Sequence, residues 1–166
     1  IHAYGMEQGL RYTLFRPFNW IGGGLDSIHT PKEGSSRVIT QFFGHIVRGE
    51  SIRLVAGGRP KRAFTYVDDG IAALMKIIEN RDGKAAGRIY NIGNQQPVPL
   101  LRYIEVLEEC LGRKAQMQML PLQPGDVPDT EADVSDLVAD VGYRPVTSVE
   151  TGVRKFVEWY REYYRV

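Results

Sequence analysis

The side chains able to do chemistry are gathered in a few short stretches. The first is Arg16-Pro17-Phe18-Asn19-Trp20. It ends a β-type run, Tyr12-Thr13-Leu14-Phe15, and so puts Asn19 at the carboxyl edge of a strand. Ligands of open α/β sheets bind at that edge. A side-chain amide offers a donor and an acceptor, which suits sugar hydroxyls or a phosphate. The plainer alternative is that Asn19 shapes a turn. The second stretch collects Arg53, Arg59, Lys61 and Arg62 around Gly57-Gly58, ahead of Phe64-Thr65-Tyr66. Guanidinium groups pair with phosphates through two parallel hydrogen bonds, so a diphosphate is a natural partner for such a cluster. The alternative is a solvated basic turn. The third stretch, Gln123-Pro124-Gly125-Asp126-Val127, is polar enough to line a cleft, with Gln123 and Asp126 as its candidates, although Pro-Gly-Asp is also an ordinary turn.

Other residues offer less. Gly22-Gly23-Gly24 can nest an anion on its backbone N–H groups, but no Lys-Ser/Thr follows, so a flexible loop is the better reading. His2, His29 and His45 lack ligand spacing, and no metal site is expected. The single cysteine, Cys110, sits in an apolar helical stripe, excludes an internal disulfide and fits a reducing compartment. Tyr160, Tyr163 and Tyr164 read as core and rim packing.

With 21 basic and 20 acidic residues in 166, the formal net charge is +1. No global field draws the chain to nucleic acid or an acidic membrane, and any anion binding must come from local clusters. No apolar run approaches a membrane span. The opening Ile1-His2-Ala3-Tyr4-Gly5 has neither a Met nor a signal-peptide core and reads as cut from something longer.

The elements that must position these residues alternate between short strands and helices. Ser35 or Ser36 is placed to cap a helix with Val38, Ile39, Phe42, Phe43, Ile46 and Val47 at helical spacing. Ile52 to Val55 and Phe64 to Val67 read as extended, with Asp68 or Asp69 capping a helix that carries Ile71, Leu74, Met75 and Ile78 on one face. Ile89 to Ile92 and Gln116 to Leu120 read as strands. Between them Pro99 starts a helix closed by Gly112. A short helix around Leu137, Val138 and Val141 ends at Gly142, and Thr147 with Glu150 is spaced for a capping box opening the last helix. The class is α/β. The strands are too few and short for a full doubly wound sheet, and no G-x-G-x-x-G or G-x-x-G-x-x-G loop follows one.

The residues also resemble extended short-chain dehydrogenases/reductases that modify nucleotide sugars, the NAD-dependent epimerase/dehydratase family. Up to about Gly93 the chain looks most like UDP-glucuronate oxidative decarboxylase domains of bifunctional polymyxin-resistance enzymes. The carriers are Thr13 through Trp20, Gly34-Ser35-Ser36-Arg37, and Gly57-Gly58 through Lys61-Arg62 to Phe64-Thr65. Further on it looks more like UDP-glucuronate 4-epimerases, in Gln95-Gln96-Pro97-Val98, Leu120 through Pro128, Ala132-Asp133-Val134 and Phe156 through Tyr164. Asn91-Ile92-Gly93-Asn94 is common to both. The resemblance implies the C-terminal substrate-binding lobe of an extended Rossmann-type enzyme, spanning 1–166 as one lobe, with the NAD-binding core missing. It implies a UDP-sugar ligand held by Asn19, Arg37, Arg53, Arg62 and Tyr66, with Gln123 and Asp126 added from their own stretch, and a cytoplasmic location. NAD is the cofactor of full-length relatives, and none is expected for this chain alone. In such a parent, NAD takes a hydride from C4 of the sugar while a Tyr phenolate takes the hydroxyl proton; the ketone is reduced on its other face or loses carbon dioxide.

Departures matter equally. The glycine-rich NAD loop, the catalytic Ser/Thr and a Tyr-x-x-x-Lys pair are absent from the sequence. The decarboxylases' proton-donor Arg has no counterpart between Asp126 and Ala132, where Thr130 falls near its place. This favours 4-epimerisation over decarboxylation for a parent enzyme, with catalysis supplied by a missing Rossmann lobe or subunit. Two other readings stay open: a non-catalytic nucleotide-sugar-binding module, and a truncated remnant with a structural role, marked by an exposed apolar face.

Overall fold

The computed structural model describes residues 1–29, 37–80, 82–122, 124–125 and 127–166. A short helix α1 (His2–Gln8) leads into β1 (Leu14–Pro17) and β2 (Trp20–Ile21). Then come α2 (Val38–Arg48), β3 (Ser51–Val55), β4 (Lys61–Ala63), β5 (Thr65–Tyr66) and α3 (Val67–Glu79). The chain continues through β6 (Ile89–Ile92), β7 (Pro97–Pro99), α4 (Leu100–Leu111), β8 (Gln116–Leu120), β9 (Asp129–Thr130), α5 (Ser135–Val141) and α6 (Val149–Tyr164). This is an α/β fold in which parallel pairing dominates: β1 with β6, β2 with β5, β3 with β8 and β4 with β9. Among the described residues only β4 with β7 pairs antiparallel.

Strand β3 alternates as the pleat requires. Ile52 and Leu54 are fully buried, while Ser51 and Arg53 point outward. The core behind it is closed by α2, α4 and α6. Phe43 of α2 sits edge-on to Phe156 and Tyr160 of α6, with ring centroids 4.9 and 4.7 Å away. A second apolar cluster lies under β6, where Tyr90 and Ile92 meet Ala73, Ile77 and Leu137. Tyr90 also donates to Asp140 at 2.8 Å, and burial with that neighbour pushes its hydroxyl up to about 12.

Several local expectations are corrected. Helix α3 starts at Val67, so Asp68 and Asp69 occupy its first turn and Tyr66 is the capping position. Asp69 serves another purpose: its carboxylate accepts from the Val146 and Thr147 N–H groups and the Thr147 hydroxyl at 2.7–2.9 Å, tying α3 to the entry of α6. Thr147 is therefore engaged elsewhere, and Ser148 caps α6 by accepting from Thr151 N–H at 3.2 Å. The face of α3 with Ile71, Met75 and Ile78 is exposed; Ala73 and Ile77 face the core. Ser35 and Ser36 lie outside the described residues, and Arg37 is the N-cap of α2. The glycine-rich loop after β2 is a packing device: a Cβ on Gly23 would come within 2.3 Å of the Trp159 indole. Among the described residues no helix is long and apolar enough to cross a membrane, and no cluster of metal-ligating side chains occurs.

Candidate functional site

A cleft of about 390 Å³ opens where the end of β1, the start of α2, the outer face of β3 and strand β4 converge. Asn19, Arg37, Arg53 and Arg62 line it, together with an apolar wall that includes Phe42, Phe64, Leu100 and Val127. Residues far apart in sequence meet because each is delivered by a different element. The pleat of β3 turns Arg53 away from the buried Ile52 and Leu54, and the turn at Ala56–Gly58 reverses the chain so that β4 brings Arg62 alongside. No carboxylate lines the cleft among the described residues.

The three arginines are held differently. Arg37 donates to Asp26 at 3.2 Å, and Asp26 also accepts from Thr40 at 2.9 Å. The Arg62 guanidinium donates from Nη1 to the carbonyls of Lys61 (2.8 Å) and Pro128 (3.0 Å), and from Nη2 to Val127 (3.0 Å). It thereby fastens the 127–128 backbone beside the cleft. Arg53 has no hydrogen-bond or ion-pair partner among the described residues, so its donors are available to an anion. Asn19 adopts a left-handed φ of 43° and uses one side-chain amide N–H on Ala63 O at 3.3 Å, and its side-chain Oδ1 accepts from no described residue.

Of the residues singled out in the sequence, Asn19, Arg37, Arg53 and Arg62 come together here. Tyr66 does not line the cleft. It is 9% exposed in the core, its ring meets Gly22 and Gly152, and the Lys155 ammonium lies 5.0 Å from the ring centroid. Burial, followed by the Asp68 charge, raises its hydroxyl above the ordinary tyrosine value. Arg59 and Lys61 face a different surface, next to Arg102 and Glu105. Gln123 and Asp126 lie outside the described residues. The apolar wall was not singled out as a site, because Phe42, Phe64 and Leu100 carry the same periodic signal as the core.

A dinucleotide site needs a glycine-rich turn leading from a strand into a helix. Among the described residues, the strands that run straight into helices, β5 into α3 and β7 into α4, do so without any glycine at the junction.

Comparison with known proteins places the chain in a family. The model of the NAD dependent epimerase/dehydratase family matches residues 1–93, more than half the chain, and the protein belongs to that family. It is similar to an uncharacterized 37.6 kDa protein of Escherichia coli O111:H-, 37% identical over 99% of this chain and 52% of that protein. Among solved structures, PbgP3 protein from Burkholderia pseudomallei is 48% identical, with a TM-score of 0.77 over 97% of this chain and 49% of that one. MoeE5 in complex with UDP-glucuronic acid and NAD is 26% identical, with a TM-score of 0.75 over 90% and 46%. The chain thus spans about half the length of these relatives.

Proposed function

We propose that this chain is the nucleotide-sugar-holding lobe, residues 1–166, of an NAD-dependent enzyme that acts in the cytoplasm on UDP-glucuronate or a close relative, with 4-epimerisation the favoured reaction. The observation that carries this reading is the convergence of Asn19, Arg37, Arg53 and Arg62 on one cleft with an apolar wall. A nucleoside diphosphate matches both halves of that surface: guanidinium groups meet the phosphates and the apolar wall meets the base. The ligand of MoeE5 has the same chemistry. Asn19 is placed to hydrogen-bond the ligand through its side-chain Oδ1.

The chain's own residues bind and orient; they perform no hydride transfer. NAD would supply that chemistry when bound to the other half of a complete enzyme. The place for that half is the open side of β1. Leu14 N–H and Phe18 N–H bond to Arg88 O and Ile92 O of the β6 side, which turns the Phe15 N–H to the unpaired side. Parallel sheets are found covered and extended by neighbours. Here Phe15, Ile71, Met75, Ile78 and Ile89 remain 45–74% exposed beside that edge. A continuing sheet with its helices would cover them.

The test is isothermal titration of the purified chain with UDP-glucuronate, UDP and NAD, beside Arg53→Ala. Arg53 is a cleaner control than Arg62, whose removal would also release the 127–128 backbone. Saturable binding of UDP-glucuronate and UDP, weakened in the variant, with NAD silent, is the expected result. Silence toward all three would sink the reading and leave a piece whose role is structural.

A further inference from the structure

Asn19 is one of three non-glycine residues among those described with positive φ, and the only one of them that lines the cleft. A side chain rarely adopts that backbone, so something must hold it. Thr65 does. It is fully buried, one of four buried polar or charged residues among those described. Its hydroxyl donates to Phe18 O at 2.8 Å and accepts from Asn94 N–H at 3.0 Å, while its own N–H donates to Asn19 O at 3.2 Å.

The geometry has a consequence for the site. Phe18 O belongs to the peptide plane before the Asn19 Cα, and Asn19 O to the plane after it. Holding both planes leaves the φ and ψ of Asn19 no freedom, and this sets the direction of its Cβ. The Asn94 N–H fills one acceptor position of the hydroxyl, so its hydrogen is turned away from that side, toward Phe18 O. Asn94, 2% exposed, is itself tied down: its amide donates to Thr147 O at 2.8 Å and accepts from Gln96 N–H at 2.9 Å. The support therefore reaches from the start of α6 to the cleft.

We propose that Thr65 is a positioning residue: by clamping the peptide groups on both sides of Asn19 it holds that side chain in the left-handed conformation that presents it to the ligand. The ligand half of this proposal rests on the nucleotide-sugar reading above, whereas the clamp itself does not.

The test compares Thr65→Val, Thr65→Ser, Asn19→Ala and the Asn19→Ala/Thr65→Val double variant with the unaltered chain. Thr65→Ala serves where the valine is too crowded for the protein to fold. The first readout is ligand-free: the Asn19 Cα and Cβ chemical shifts, which report its backbone conformation. They should leave the left-handed range in Thr65→Val and stay in it in Thr65→Ser. The second is titration with UDP-glucuronate. Loss of the clamp should weaken binding about tenfold, the scale of one misplaced hydrogen bond. Thr65→Ser should stay within about threefold, and Thr65→Val should add nothing in the Asn19→Ala background. Unchanged Asn19 shifts in Thr65→Val would overturn the clamp. An equal loss of affinity with and without the Asn19 side chain would overturn the positioning role. If the unaltered chain binds no UDP-glucuronate, the nucleotide-sugar reading fails while the shifts still decide the clamp.

Discussion

The two apolar clusters of this molecule are finished to different degrees. The first, around Phe43, Ile52, Leu54, Tyr103 and Leu107, is enclosed by α2, α4 and α6 with the β3–β8 pair, and these side chains are 0% exposed. The second fills only one side of the β1–β6 pair. Tyr90 and Ile92 are fully buried there, yet Phe15, the register partner of Tyr90, is 45% exposed at the edge, and Ile89, on the opposite face, is 47% exposed. A strand buried on both faces reads as continuous apolar sequence, and Leu14-Phe15 and Ile89-Tyr90-Asn91-Ile92 fit a sheet with more neighbours than these two strands supply. The cleft sits on the finished region. The open edge lies on the unfinished one. The two lie close together along the chain, since Asn19 of the cleft follows β1 by two residues.

The largest expected difference tests the cores directly. Phe43→Ala empties a closed, aromatic-lined site and should cost about 3–5 kcal/mol of unfolding free energy in urea. Ile78→Ala, 74% exposed on the open face, should cost less than about 0.5 kcal/mol. Similar losses at both positions would erase the distinction between the two regions.

A step smaller is the effect of Arg53→Ala on UDP-glucuronate binding. Removing a charge-assisted contact should weaken it by about 1.5–3 kcal/mol, with little change in stability, since the guanidinium has no described partner to strand. Ile78→Glu, on the other region, should leave that affinity alone while lowering any self-association of the exposed face, read by sedimentation.

Glu108 sharpens the picture of the finished core. Burial alone would raise its carboxyl, but the Lys114 ammonium at 2.6 Å and the Ala115 N–H at 2.8 Å outweigh it, and the net shift is downward from 4.5. A depressed folded pKa adds stability that is complete above the unfolded value and is lost as pH falls through the folded one. Glu108→Gln should therefore be less stable than the unaltered chain near neutral pH, by about 1–2 kcal/mol. The gap should narrow below pH 4.5 and close in stronger acid. A gap independent of pH would show that shape, not charge, is what Glu108 contributes.

Much of this was legible in the residues. Helix ends announced themselves at Gly112 and Gly142, both left-handed C-caps. The strand Gln116–Leu120 followed from alternation; of the periodic stripe Val149, Val153, Phe156, Val157, Tyr160 and Tyr164 on the last helix, all but the half-buried Tyr164 are in the core. Short strands did not announce themselves: β9 is only Asp129–Thr130, too brief for any pattern, and exists because β4 offers it an edge. Thr147 met a capping-box spacing and was taken by a distant carboxylate instead.

What the sequence alone determined is the kind of chemistry on offer: which stretches carry guanidinium and amide groups able to pair with phosphates, and which family the residues resemble. Residue type and local spacing suffice for that. The tertiary structure decided which of those residues share a cleft, that Arg53 has no described partner while Arg62 is occupied, that Tyr66 is core, and that Thr65 clamps Asn19. Each of these depends on contacts between positions tens of residues apart, such as Phe18 with Thr65 and Arg62 with Pro128, whose pairing is set by strand register and packing rather than by any local pattern.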